Sequence, residues 1–77
     1  MESKVKEIMS AIFEVDILTI DNSSSPDTIE KWDSLGHMNL VTSLEDELGI
    51  IFEDHHIEEM LNFGLIMEVL KEVTSDR

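Results

Sequence analysis

Trp32-Asp33-Ser34-Leu35-Gly36-His37-Met38-Asn39-Leu40-Val41 marks the start of a helix and sets a hydroxyl at its head. Asp33 and Ser34 are both favoured N-cap residue types, and Leu40, Val41, Leu44 and Leu48 follow at helical spacing. Gly49 is a natural C-terminal stop, so the spacing predicts a helix over residues 34–48. A hydroxyl at that N-terminus sits among unpaired backbone N–H groups and at the positive end of the helix dipole, and both favour an attached phosphate. On the helical wheel Leu40, Val41, Leu44 and Leu48 share one arc, while Leu35, Met38 and Thr42 lie towards the other side with Glu45 and Asp46. Two large apolar side chains therefore stand near Ser34 that the helix does not need for its core.

Towards the N-terminus, Val5, Ile8, Met9, Ile12 and Phe13 fall in one arc and predict an amphipathic helix over residues 3–14. Residues 15–31 read as one long connection. Val15, Ile17, Leu18 and Ile20 have strand character but no second strand to pair with, and Asp21 to Asp27 is turn chemistry around Pro26. Ile17, Leu18, Ile20, Ile29 and Trp32 are expected to pin it. Loops of this length are uncommon and often functional. Beyond Gly49, Ile50-Ile51-Phe52 predicts a buried crossing, Asp54 is expected to cap a short helix over residues 54–60, and Asn62 to cap a last helix over residues 63–73. Ile66, Val69, Leu70 and Val73 form the apolar face of that helix, and Thr74 to Arg77 are expected to fray. The fold class is all-α: a four-helix bundle with three longer helices, a short third helix and a long first loop.

The 77 residues predict one domain over 1–77, with a thin core. There is no cysteine, so any thiol chemistry must come from an attached group. No apolar run approaches the ~20 residues that span a bilayer, and Met1-Glu2-Ser3-Lys4 leads into an amphipathic helix rather than a signal peptide, which predicts a cytoplasmic monomer. The net charge is −13, with seven acidic and three basic residues up to Trp32 and eleven and two from Asp33 onward. Such a surface repels nucleic acid and anionic lipid and attracts basic protein partners.

The block Asp33-Ser34-Leu35-Gly36-His37-Met38-Asn39-Leu40-Val41, ending in Leu44-Glu45-Asp46-Glu47-Leu48-Gly49-Ile50, resembles the acyl carrier protein family. In length, order of elements and charge the resemblance covers nearly the whole chain. It implies that Ser34 carries 4'-phosphopantetheine, attached from coenzyme A by a phosphopantetheinyl transferase, with Asp33 assisting attachment. It implies that Leu35 and Met38 contact partners and that Glu45, Asp46 and Glu47 supply the charged part of that surface. Partners would be the transferase and acyl-loading, condensing or acyl-transfer enzymes with basic docking surfaces. The carrier itself would be no enzyme. Fatty-acid carriers usually have acidic residues where Gly36 and Asn39 stand, which implies a thinner acidic face in the first turns. Trp32 and Gly36-His37 look more like stand-alone carriers of specialised, polyketide- or lipid-like pathways.

Two rivals remain at the level of sequence: an aminoacyl or peptidyl carrier with the same cofactor, and an acidic interaction module in which Ser34 is only a helix cap. A hydrolase has no Gly-x-Ser-x-Gly elbow around Ser34. His37, on the core-facing side of the first turn, reads as a packed, satisfied histidine. His55 and His56 are neighbours about 100° apart on a helix, poor geometry for a shared metal. The loop from Asp21 to Trp32 has Pro26 where a calcium loop needs glycine, so no metal site is read. Five methionines and a thin core suggest that an acyl chain shelters between helices, near Val41, Leu44 and Val69.

Overall fold

Val5, Ile8, Met9 and Phe13 recur every three or four residues and are buried along one stripe of the first helix, α1 (Glu2–Phe13). The structure, a computed structural model, describes residues 1–74. After α1 come a 3₁₀ turn (Ile17–Thr19), α2 (Ser34–Leu48), α3 (Asp54–Glu59) and α4 (Phe63–Thr74). The described residues contain helices and loops with no strand, as the apolar periodicity predicts. The strand character of residues 15–20 is spent in the 3₁₀ turn, where Asp16 Oδ1 accepts the Leu18 N–H at 2.9 Å.

α1 ends in a left-handed residue, Glu14 (φ 56°), and α2 ends in another, Gly49 (φ 65°). At Gly49 only a residue without Cβ adopts that conformation at little cost. α2 buries Gly36, Leu40, Val41 and Leu44 against α1. Trp32 closes one end of this core; it is 1% exposed and stacks on Phe13 with ring centroids 5.3 Å apart. Truncating so buried an aromatic costs about 3–5 kcal/mol.

The long first loop is ordered by α4. Four N–H groups at a helix start have no intrahelical acceptor. Here the Ser24 carbonyl accepts from Phe63 N–H at 2.8 Å, the Asn22 carbonyl from Gly64 N–H at 3.2 Å, and Asn62 Oδ1 from Leu65 N–H at 2.8 Å. Asn62 is thus the cap its sequence position predicts, and the turn residues of the loop complete the accounting. Ser24 is buried, and its Oγ accepts the Asp21 N–H at 2.9 Å.

Four expectations need correction. Leu18 is 88% exposed and pins nothing; Ile20, Ile29 and Trp32 hold the loop, with Ile17 half-buried. The crossing after α2 buries Ile50 and Phe52 but leaves Ile51 82% exposed, because alternate residues of an extended segment face opposite ways. Asp54 is the first helical residue of α3 and Glu53 its N-cap; the Glu53 N–H is taken by His56 Nδ1 at 3.1 Å. Thr74 is helical, its Oγ1 donating to the Leu70 carbonyl at 2.7 Å, while fraying of residues 75–77 lies outside the described residues.

Candidate functional site

Asp33 holds extended backbone (φ −93°, ψ −169°), and its Oδ1 accepts the Gly36 N–H at 2.8 Å. The N-cap of α2 is therefore Asp33, and Ser34 is the first helical residue, exposed to solvent. The choice between the two residue types is decided by geometry, and it frees the Ser34 hydroxyl from capping. The N–H groups of Ser34 and Leu35 have no intrahelical acceptor and point with the helix dipole towards any anion on Ser34.

Gly36 is buried in the first turn. A β-carbon there would collide with the Lys31 carbonyl oxygen and press on Phe13 Cε1. The loop reaches α2 this closely only over a glycine. Lys31 is in turn held by Glu14, Nζ to Oε2 at 2.7 Å, and the hydrogen bond and charge of Lys31 keep the Glu14 carboxyl below its ordinary pKa.

His37, one turn beyond Ser34, has both ring nitrogens in use. The Trp32 indole N–H donates to Nδ1 at 2.9 Å, and Nε2 bonds the Ile57 carbonyl oxygen at 3.0 Å. The packed, satisfied histidine of the sequence reading is what the structure contains, and no ring nitrogen is left to take a proton from Ser34. Among the described residues no three His, Asp or Glu side chains gather as a metal site.

Beside Ser34, between α2 and α3, lies an open groove of about 660 Å³. Pro26, Trp32, Met38, Ile57, Met60 and Leu61 give it apolar walls, and Asp33, Ser34, His37 and Glu58 complete its lining. Val41, Leu44 and Val69, near which a sheltered chain is expected, are packed in the core and do not line this groove.

A solution structure of the holo acyl carrier protein from Geobacter metallireducens superposes on this chain with a TM-score of 0.85, at 27% identity, covering 97% of this chain and 86% of that one. The fold is that of an acyl carrier protein. No protein-family model and no curated protein matches the chain. The acyl carrier fold is a non-catalytic one, in keeping with the fully engaged His37, and the likeness supports a carrier role. No helix among the described residues is long and apolar enough to cross a membrane.

The residues expected to face partners differ in their surroundings. Leu35 is 72% exposed and Met38 48%, on the same side of α2 as Ser34. Asp46 is exposed on that side as well. Glu45 is half-buried and has a structural task, its Oε2 accepting the Phe52 N–H at 2.9 Å. Glu47 pairs with Lys4 of α1 at 3.2 Å, on the edge of α2 turned away from Leu35. Of the two positions where the resemblance implies an absent acid, Gly36 is interior and Asn39 is exposed. The groove residues Ile57, Met60 and Leu61 escaped the sequence reading. Their one signal was Met60-Leu61 immediately before the cap Asn62, an apolar pair that so short a helix cannot bury on both sides.

Proposed function

We propose that this protein carries acyl intermediates as thioesters on a 4'-phosphopantetheine arm attached to Ser34, as one unit over its 77 residues. The observation that carries the reading is an exposed Ser34 hydroxyl at the first position of α2, relieved of capping by Asp33 and set at the lip of an apolar groove. The phosphate of the arm would meet the Ser34 and Leu35 N–H groups, and Asp33 would assist its attachment by the transferase. The arm supplies the thiol that this cysteine-free chain lacks.

The apolar walls of the groove suit an acyl cargo, whose hydrocarbon chain gains by leaving water. Leu35 and Met38 would fix the docked pose of the transferase and of loading, condensing or acyl-transfer enzymes, with Asp46 and the wider negative field speeding encounter. The exposed Asn39 in place of an acidic residue, and Trp32 ahead of the motif, support a specialised pathway in the cytoplasm over general fatty-acid synthesis. A plain interaction module with Ser34 as cap has lost its role for Ser34.

The test is the intact mass of wild type and Ser34→Ala after incubation with coenzyme A, magnesium and a promiscuous phosphopantetheinyl transferase. One added phosphopantetheine on wild type and none on the variant is the expected result. No addition to folded wild type with two different transferases would overturn the reading. On acylation, chemical-shift changes should spread into Ile57, Met60 and Leu61.

A further inference from the structure

α3 is six residues long, too short to persist alone, and it packs mainly on α4. The bond from His37 to the Ile57 carbonyl ties it to α2. The other ring nitrogen fixes the tautomer. An indole N–H only donates, so His37 Nδ1 must accept from Trp32, and the single proton of the neutral ring sits on Nε2, directed at Ile57. Only the neutral ring satisfies both partners. We propose that His37 is a proton-operated latch: neutral, it holds α3 against the first turn of α2 and keeps the groove beside Ser34 narrow; protonated, it lets α3 go and the groove opens.

A second proton has one place to go, Nδ1, where it would face the N–H of Trp32. One ring must yield. The indole is buried and stacked on Phe13, whereas His37 is half-buried and lines the groove, so the imidazolium swings outward and withdraws Nε2 from Ile57. Asp33 at the cap of α2 and Glu58 on α3 line the same groove, and their carboxylates stabilise the charge once it turns out. Among the described residues no Lys or Arg lines the groove to oppose it. On the far side of α3 a second imidazole, His56, stands among His55, Glu53 and Glu72 of α4, with Nε2 3.6 Å from the Glu72 carboxylate. This second imidazole also bonds within α3, and a test must separate the two.

The consequence for cargo rests on Ser34 being the attachment point: acid would widen the groove around whatever the arm shelters. The latch itself is testable in the unmodified protein. His55→Gln/His56→Gln leaves His37 as the one histidine of three, and glutamine at position 56 keeps a side-chain acceptor for the Glu53 N–H. Amide hydrogen exchange is then followed residue by residue at about pH 7.5 and about pH 5.5, across the range where histidine changes charge. Corrected for intrinsic rates, α3 amides should exchange roughly tenfold faster relative to α1 at the lower pH, the factor for losing one hydrogen bond. Adding Trp32→Phe removes the opposing N–H, keeps an aromatic ring on Phe13, and should abolish the response. A response in α3 no larger than in α1, or one that survives Trp32→Phe in full, would overturn the latch. Should that variant not fold, nitrogen NMR of His37 in the double variant decides: the Nε2–H tautomer at neutral pH is required, and the Nδ1–H tautomer refutes it. A chain that takes no phosphopantetheine would remove the arm and leave these results standing.

Discussion

Gly36 lies under the carbonyl oxygen of Lys31, in a space that admits hydrogen and no methyl group. In a helix interior Gly→Ala ordinarily stabilises by about 1 kcal/mol. Here the sign should reverse. Gly36→Ala should lower the unfolding free energy by about 1–3 kcal/mol, because the collision is with backbone and cannot be relieved by a side-chain rotation. Urea denaturation measures it, and a stabilised variant would mean that the loop moves aside at no cost.

Asp33 and Ser34 should separate cleanly. Asp33→Ala removes the acceptor for the Gly36 N–H and should cost about 0.5–2 kcal/mol. Ser34→Ala removes an exposed hydroxyl that caps nothing and should stay within about 0.5 kcal/mol of wild type. Thermal melts of the two variants side by side decide it. Equal losses would show that both residues share the capping.

Leu35 tests the partner surface. Leu35→Ala should leave the melting temperature unchanged, since the side chain is outside the core. It should raise the transferase KM by roughly tenfold, the loss of one anchoring apolar side chain. Modification kinetics at several carrier concentrations give this directly; an unaltered KM would remove Leu35 from the docking surface.

The Glu14–Lys31 pair gives a pH dependence of definite sign. The Glu14 carboxyl is held low by the Lys31 hydrogen bond first and its charge second. A carboxyl depressed in the folded state stabilises at neutral pH, and that contribution fades as pH falls through its folded value. Asp21 acts in the same direction, held low by hydrogen bonds from the Ser23 side chain and backbone. Glu14→Gln should therefore melt slightly below wild type near about pH 7, and the gap should close by about pH 3. The pair is exposed, so salt should shrink the gap too. A gap constant across that range would assign it to something other than the charge.

With a net charge of −13 on 77 residues, self-repulsion opposes folding. Moderate salt or millimolar magnesium should raise the melting temperature by a few degrees, about 1 kcal/mol in a domain of this size. A melt indifferent to both would mean that the carboxylates are spaced widely enough not to interact.

What the sequence determined by itself was local. The stripe Val5, Ile8, Met9, Phe13 and the run Leu40, Val41, Leu44 are periodicities of 3.6, and Gly49 and Asn62 are stop and cap signals whose chemistry acts within a turn. These fix α1, α2 and α4 wherever they pack, and they leave Leu35 and Met38 outside the core. Tertiary structure decided everything that depends on a second segment arriving. Gly36 became obligatory because Lys31 lies over it; Glu45 gained a bond to the Phe52 N–H and Glu47 an ion pair with Lys4. The groove beside Ser34 exists because α3, which packs mainly on α4, also reaches α2 through the bond from His37 to the Ile57 carbonyl, twenty residues further along the chain. Short-range order follows from spacing along the sequence, whereas a site built by contacts across the chain is legible only once the chain has closed on itself.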